Sequence, residues 1–441
     1  MSATYSIPPG TFPREAGSWS VAALVRPLHI LMSFPALLFL AMLTAMLFRP
    51  PDMKLYCLDR SAFGLLVFVI LLRTLLLRQP LRLARLVTLP MFALVLLAVA
   101  GTLNQPYNSE TWSVVAAKWI VPFTLYALAG LVFETETSLR ALEVFSLVVL
   151  AYLSVIAILF LSGEKSFIFP PFILDESLGI HADRARGPFL QAVANGVTLN
   201  LLGLVALDSY RRRRLRGIVA LLFLIALPLA ILATKTRAVW ISFALSVLGL
   251  LCISPSVRVR RACLCLVLAA VFGSLCALTF QDVNQSIADR LEERSPVEFR
   301  MAMYRAGWDM FRAKPLLGWG TGQVQADLEK RISDFHQSEF YFHNTFLEIA
   351  VEFGVVGIAL YSWVIFDLLR VGRQPPASAA SPSPRFLDAG FRCLWPVMLG
   401  VYLLNACFVV MNYQFVNGML FTFAGILSAQ NRASATEVHH A

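Results

Sequence analysis

A chain of 441 residues is long enough for two or three soluble domains, but 58% of its residues are hydrophobic and only 15% charged, against about 25% charged in soluble globular proteins. Apolar runs of roughly twenty residues recur from end to end, each able to cross a hydrocarbon core about 30 Å thick. The net charge of +10 sits in arginines grouped in short loops between those runs. That is the placement of orientation signals, and no aromatic-interleaved basic stripe accompanies it, so nucleic acid is excluded as a partner.

Within lipid a backbone must satisfy its own hydrogen bonds, so uninterrupted runs of this length mean helices, and barrel strands would alternate in polarity over short segments. The fold class is therefore all-α: a polytopic membrane protein of about 12 transmembrane helices. The first run begins near His29, after a polar stretch with Arg14 and Arg26, and continues to about Phe48 without a cleavage-site exit, so it reads as a retained span. Spans are expected at 29–48, 61–77, 86–103, 114–133, 141–162, 187–208, 217–233, 238–254, 263–280, 345–369, 393–411 and 415–430. Basic residues gather on one side of this arrangement: Arg78, Arg82 and Arg85; Arg211 to Arg214 with Arg216; Arg258, Arg260 and Arg261; and Arg370, Arg373, Arg385 and Arg392. The opposite loops at 104–113 and 412–416 have none. The basic side is expected to be cytoplasmic, with both termini on it.

This divides the chain into a bundle of nine spans over 1–280, an outer loop over 281–344, three further spans over 345–430 and a cytoplasmic tail over 431–441. In the outer loop, 299–313 (FRMAMYRAGWDMFRA) places Phe299, Met303, Ala306 and Met310 on one helical face. The pattern predicts an amphipathic helix lying on the outer leaflet, stopped by Pro315 and followed by a turn at Gly318, Gly320 and Gly322. The Pro-, Ala- and Ser-rich stretch 374–390 predicts a flexible cytoplasmic connection. Cys252, Cys263, Cys265, Cys276, Cys393 and Cys407 lie within or beside apolar runs, and Cys57 lies in a short loop. Cys263 and Cys265 lack metal-ligand spacing, so neither disulfides nor zinc are expected.

The polar residues of the outer side divide into those with a structural excuse and those without. His343 stands where the long loop enters the tenth span, as either a base for a hydroxyl proton or an interfacial helix cap. Arg186 and Arg237 sit on the side where positive charge is disfavoured. Each either snorkels to headgroups or offers a planar fork to phosphate oxygens. Arg305 has Asp309 four residues on, which an exposed ion pair would explain; Arg300 has only Tyr304 there. Glu348 and Glu352 share one face of the tenth span, and Glu352, about two turns in, needs a buried partner such as an arginine. It is roughly half a turn out of phase with His343. Lys118, Arg73, Glu143 and Asp367 lie nearer span ends and read as interfacial. No P-loop, Rossmann glycine pattern, paired-histidine metal motif or DxD-like acidic pair occurs, so chemistry here would need no nucleotide and no metal.

Four segments in order resemble the bacterial O-antigen ligase and O-antigen polymerase family. His343-Asn344-x-x-Leu347-x-x-x-x-Glu352-x-Gly354-x-x-Gly357 resembles its signature. RGPF…AN, from Arg186 to Asn195, resembles an R-x-G-x-F…P-N element, with Ala194 in place of the proline. TKTRAVW resembles S-R-x-x-W, with Thr236 for the serine. Arg300-x-x-x-Tyr304…Lys314-Pro315-Leu316-Leu317-Gly318-x-Gly320 resembles R-x-x-x-W…P-L-x-G-x-G, with tyrosine for tryptophan. The likeness covers mainly 186–360. It implies a GT-C-like, metal-independent inner-membrane glycosyltransferase without a cofactor. The implied donor is an undecaprenyl-diphosphate-linked glycan, and the acceptor a lipid A-core sugar or another glycan, met in the periplasmic half of the bilayer. It also implies His343 as the base and Arg186, Arg237 and Arg300 as diphosphate ligands; Arg305 stays open between that role and its ion pair, and Asn344, Glu348 and Glu352 are expected to give structural support. Ligation of finished glycan to lipid A-core is the favoured expectation, and repeat-unit polymerisation is the alternative. A lipid or polysaccharide flippase, or a protein-glycosylating oligosaccharyltransferase, would be other outcomes.

Overall fold

The computed structural model describes residues 34–49, 57–76, 85–179, 181–279, 295–322, 324–332, 341–373 and 386–438. Among them are helices and no strand. In chain order the helices are α1 (Pro35–Leu47), α2 (Leu58–Leu76), α3 (Arg85–Leu103), α4 (Ser109–Val132), α5 (Glu136–Ser162), α6 (Ala192–Arg211), α7 (Gly217–Ala233), α8 (Arg237–Ile253), α9 (Val257–Thr279), α10 (Ser295–Ala313), α11 (Val324–Arg331), α12 (Thr345–Arg373), α13 (Ala389–Ala406) and α14 (Gln414–Val438). Each apolar stretch named above falls on one of α1–α9 or α12–α14. By length and composition α4, α5, α6, α12 and α13 can cross a membrane, and α1, α7, α8 and Val87–Leu103 of α3 are shorter apolar helices. The protein is an all-α membrane protein. The basic loop at Arg78 and Arg82, Arg385 with most of the 374–390 connection, and 280–294 of the outer loop lie outside the described residues.

Capping fixes where the helices begin. Asn108 accepts from the Glu110 amide at the start of α4, Asp388 caps α13, and Thr135 and Ser138 exchange bonds in a capping box that starts α5. Such caps satisfy amides that would otherwise have no partner. The bundle is built around α6, buried on every side from Ala194 to Ser209, as a helix that is apolar all round must be. Its Asn200 donates to Ser242 of α8 at 3.3 Å, and Asn405 of α13 donates to the same hydroxyl at 3.0 Å. α14 packs along α4, joined by a buried Tyr126–Ser428 hydrogen bond of 2.9 Å.

One end of the bundle is closed by ion pairs. Arg212 reaches Glu143 at 2.6 Å and Asp208 at 2.7 Å; Arg211 reaches Asp208 at 2.8 Å and also pairs with Asp388. The expectation that Glu143 is interfacial is therefore corrected, because it is 4% exposed and paired across α5 and α6. Asp367, at 1% exposed, is likewise buried. Arg211, Arg212 and Arg392 are spent on internal bonds, which leaves Arg140, Arg213, Arg214, Arg216, Arg260, Arg261, Arg370 and Arg373 exposed at that end among the described residues.

At the other end α10 does carry the expected face, but that face meets protein rather than lipid. Phe299, Met303, Ala306 and Met310 pack with Leu328 of α11 and with Phe342 and Val351. Helix α11 was not anticipated, because its composition is polar and its length short.

The link between α10 and α12 decides the geometry of this end. Helix α12 breaks at Gly354, where φ is 62° and ψ −156°. The amides of Val355 and Val356, which a continuous helix would bond to Val351 and Glu352, instead bond the carbonyls of Pro315 at 2.8 Å and Leu316 at 3.3 Å. The freed carbonyls of Val351 and Glu352 accept from Trp319 at 2.9 Å and Gly320 at 2.8 Å. Two helical bonds are thus replaced by four to the 315–320 segment, and no backbone group is stranded. A Cβ at Gly318 would lie 2.4 Å from the Glu352 carbonyl carbon, and one at Gly354 would lie 2.3 Å from the Leu316 oxygen.

Gly318→Ala and Gly354→Ala should therefore each sharply reduce the folded protein recovered from membranes. Backbone strain adds about 1–3 kcal/mol and overpacking about 1–3 kcal/mol. Gly249→Ala in α8, where an added Cβ meets nothing within 4 Å, should leave thermal stability unchanged or raised by up to about 1 kcal/mol.

Candidate active site

Loops meet at the α10 end, and the sequence segments singled out above lie in them or in the helices α10 and α12 that they join. In the first, Arg186 is fully enclosed, at 0% exposure. Its Nε donates to the Ile173 carbonyl at 2.9 Å, and its two terminal nitrogens donate to the carbonyls of Leu178 and Asp175. Arg186, expected to hold diphosphate, here has its fork on the carbonyls of the 173–178 loop. The rest of RGPF…AN is also bonded internally. Asn195 donates to the Ala185 carbonyl at 2.8 Å, and the Ala185 amide bonds Ala233 at 3.1 Å, which ties this turn to the end of α7.

The TKTRAVW turn is next to it. Thr234 and the Trp240 indole both donate to the Ile231 carbonyl, at 2.7 and 3.0 Å, and Lys235 takes a positive φ of 46°. These bonds bring the chain round so that Arg237, half-buried, opens α8. A cation at a helix N-terminus adds to the positive end of the dipole instead of opposing it. A corner built this way favours anions.

The third and fourth loops hold His343. Its backbone sits at φ 51°, uncommon for a residue with a side chain and frequent at functional positions. Asn344 caps α12 by accepting from the amides of Phe346 and Leu347 at 3.0 and 3.1 Å. Thr345 latches the same turn to the α13–α14 loop, donating to the Val409 carbonyl at 2.8 Å and accepting from the Met411 amide at 2.9 Å. From α10 the Tyr304 hydroxyl reaches the carbonyls of His343 and Cys407, both at 3.4 Å, and the imidazole stands edge-on to Phe299 with ring centroids 6.0 Å apart. Burial, with the positive charges of Arg300 and His181, pushes His343 down to about 4 from an ordinary 6.5.

The structure thus brings His343, Arg300 and His181 into one electrostatic neighbourhood. It sets the Arg237 turn beside the 181–187 turn through the Ala185–Ala233 bond. Arg305 is exposed on α10. Glu348 and Glu352 lie deeper, and their buried partner is Lys118 of α4 rather than an arginine: the ammonium bonds Glu348 and lies 3.6 Å from Glu352. Lys118 is 6% exposed, so the expectation that it is interfacial is also corrected. His181 and Lys118 were missed because each lies outside the four matched segments. The signal for His181 was available: it is one of only six histidines, five residues ahead of Arg186 on the arginine-poor side.

Residues 219–362 match the family model described as O-antigen ligase. This third of the chain is similar to the O-antigen ligase family. The matched span runs from α7 into α12 and contains Arg237, Arg300, His343, Glu352 and the glycines of the α12 break, while Arg186, His181 and Lys118 precede it. The family is one of glycosyltransferase-type membrane enzymes. Comparison with curated proteins gives no match.

The imidazole should titrate with a midpoint of about 4, followed by histidine ring resonances in labelled protein in nanodiscs. Arg300→Gln removes one of the positive neighbours, so the midpoint should rise while staying below 6.5, because the larger cause, burial, remains.

Proposed function

We propose that the protein is an inner-membrane glycosyltransferase that moves a glycan from undecaprenyl diphosphate to an acceptor hydroxyl on the periplasmic side, acting as an O-antigen ligase on lipid A-core. The observation that carries this is a neutral imidazole next to Arg300, within the span matched to the O-antigen ligase family. In this reading α1–α9 and α12–α14 span the bilayer, with both termini cytoplasmic. The exposed arginines at the ion-paired end support that orientation, and so do apolar side chains exposed along the bundle's sides, such as Leu222, Ile225, Leu268 and Phe272.

The acceptor oxygen attacks the anomeric carbon while His343 takes its proton, and the bond from that carbon to the diphosphate oxygen breaks. Undecaprenyl diphosphate leaves with the electron pair, and a single displacement inverts the anomeric centre. Arg237 and Arg300 stabilise the departing charge by bidentate bonds in a water-poor site. Binding of the donor also tunes the base. A diphosphate against Arg300 offsets the positive charge that holds the imidazole low, so His343 becomes a stronger base once the donor is seated.

Three consequences follow for a reconstituted assay with defined lipid-linked donor. His343→Ala should lower transfer by about 10²–10⁴-fold with protein still in the membrane, and unchanged turnover removes the base assignment. Arg237→Lys and Arg300→Lys should both impair transfer, because a point charge cannot replace the fork; near wild-type rates in both defeat the diphosphate role. Arg186→Lys should instead reduce the amount of folded protein. The acid limb of kcat/KM, which reports the free enzyme, should lie near pH 4, and that of kcat, which reports the donor complex, should lie higher. Lipopolysaccharide gels of a deletion strain separate ligation from polymerisation: unligated polymer identifies the ligase, and a single-repeat ladder identifies a polymerase.

A further inference from the structure

Helix α12 is two helices in sequence. The first, over 345–353, ends at the Gly354 break and carries His343 at its start, so its placement sets where the imidazole lies. Three of its attachments are backbone-centred: the Asn344 cap, the Thr345 latch and the bonds of Val351 and Glu352 to the 315–320 segment. The fourth is ionic. Glu348 and Glu352, four residues apart on one face, both point at Lys118. That lysine lies in the segment Ala116–Ile120, where α4 widens into a π-helix; such a bulge turns one residue out of the regular sequence of faces and often occurs at functional sites. Helix α4 is itself anchored to α14 through Tyr126 and Ser428. Packing holds the same side of the short helix: Ile349 and Phe353 are buried, and Phe353 meets Trp119 with ring centroids 6.1 Å apart. A small pocket, with room for about one water, borders the start of the helix at Lys118, Trp119, Thr345, Tyr361, Tyr402 and Met411.

We propose that Lys118 is a positioning residue, whose grip on Glu348 and Glu352 fixes the short helix and so the approach of His343 to the reacting hydroxyl. This rests on the transferase function proposed above. The helical bond ladder is interrupted at Gly354, so the orientation of residues 345–353 is set by their own attachments, among which the ion pair is the one that acts through side chains on a single face. A buried ion pair with one partner on α4 holds that orientation. Displacements near 1 Å in a catalytic group lower rates by as much as about a hundredfold.

Glu348→Gln is the decisive variant. It removes the charge from the Lys118–Glu348 pair, leaving at most a neutral amide acceptor, and leaves one ammonium facing one carboxylate, Glu352, so the buried charge is balanced. A role confined to charge burial predicts wild-type rates. The positioning role predicts normal protein in the membrane, unchanged KM for the donor, and kcat lower by about tenfold to a hundredfold. The acid limb of kcat/KM should also move up from about pH 4 as the imidazole leaves its charged neighbours, which are Arg300 on α10 and His181 on the 181–187 turn, with the neutral Tyr304 between loops. Lys118→Arg, which can still span both carboxylates, should keep the wild-type limb and most of the rate. Wild-type kcat and limb in Glu348→Gln overturn the proposal. If that variant fails to accumulate, Glu352→Gln takes its place: it loosens only the 3.6 Å contact, so a smaller fall in kcat with an upward limb supports the proposal and wild-type behaviour overturns it. Titration of the His343 ring in the same variants needs no substrate. A shifted midpoint in protein that transfers no glycan from any lipid-linked donor would leave the positioning role standing and remove the transferase function alone.

Discussion

The exchange of backbone bonds between the 315–320 segment and the break in α12 is the constraint on which the rest of this end depends. It joins the helix carrying Arg300 and Tyr304 to the helix carrying His343 by four hydrogen bonds that leave no slack in register. It also requires the absence of side chains at Gly318 and Gly354, since either Cβ would meet the opposing backbone well inside contact distance. The paired glycine elements, P-L-x-G-x-G and E-x-G-x-x-G, are thus two sides of one joint. Neither has a reason to exist without the other.

Much of this fold was legible because lipid makes the helix obligatory. Runs of apolar residues located the bundle's helices, and the periodicity of Phe299, Met303, Ala306 and Met310 gave the buried face of α10. What that pattern could not give was the surface the face would meet. An apolar stripe reads the same toward lipid as toward protein, and here the answer came from Phe342 and Val351, residues distant in sequence. Ionisable groups near span ends failed for a related reason. Glu143, Asp367 and Lys118 were assigned to the interface by position, and burial depended on partners that only the tertiary fold supplies.

The site was legible in its members more than in their roles. His343 and Arg300 do come together, yet Arg186, from an element of the same resemblance, has its donors on loop carbonyls. A motif arginine near a site is as able to shape it as to bind in it, and exposure distinguishes the two. Arg186 has none, Arg237 and Arg300 are half-buried, and Arg305 is open to solvent. A guanidinium that serves a lipid-borne diphosphate must be partly desolvated and still reachable, which the middle pair satisfies.

Burial, and after it the nearness of Arg300 and His181, makes a positive charge on His343 unfavourable, which holds the imidazole neutral. Its backbone sits at φ 51°, and a residue so placed persists only where the surrounding structure over-determines it. The attachments around His343 fit that requirement: a cap at Asn344, a latch at Thr345, a pin from Tyr304 and the backbone joint at Gly354 all act on one short stretch of chain. An anion beside Arg300 would offset the positive charge there and make protonation of His343 easier. The rigidity and the charge pattern are therefore two halves of one arrangement. A looser scaffold would let the imidazole move away from Arg300 and lose that coupling.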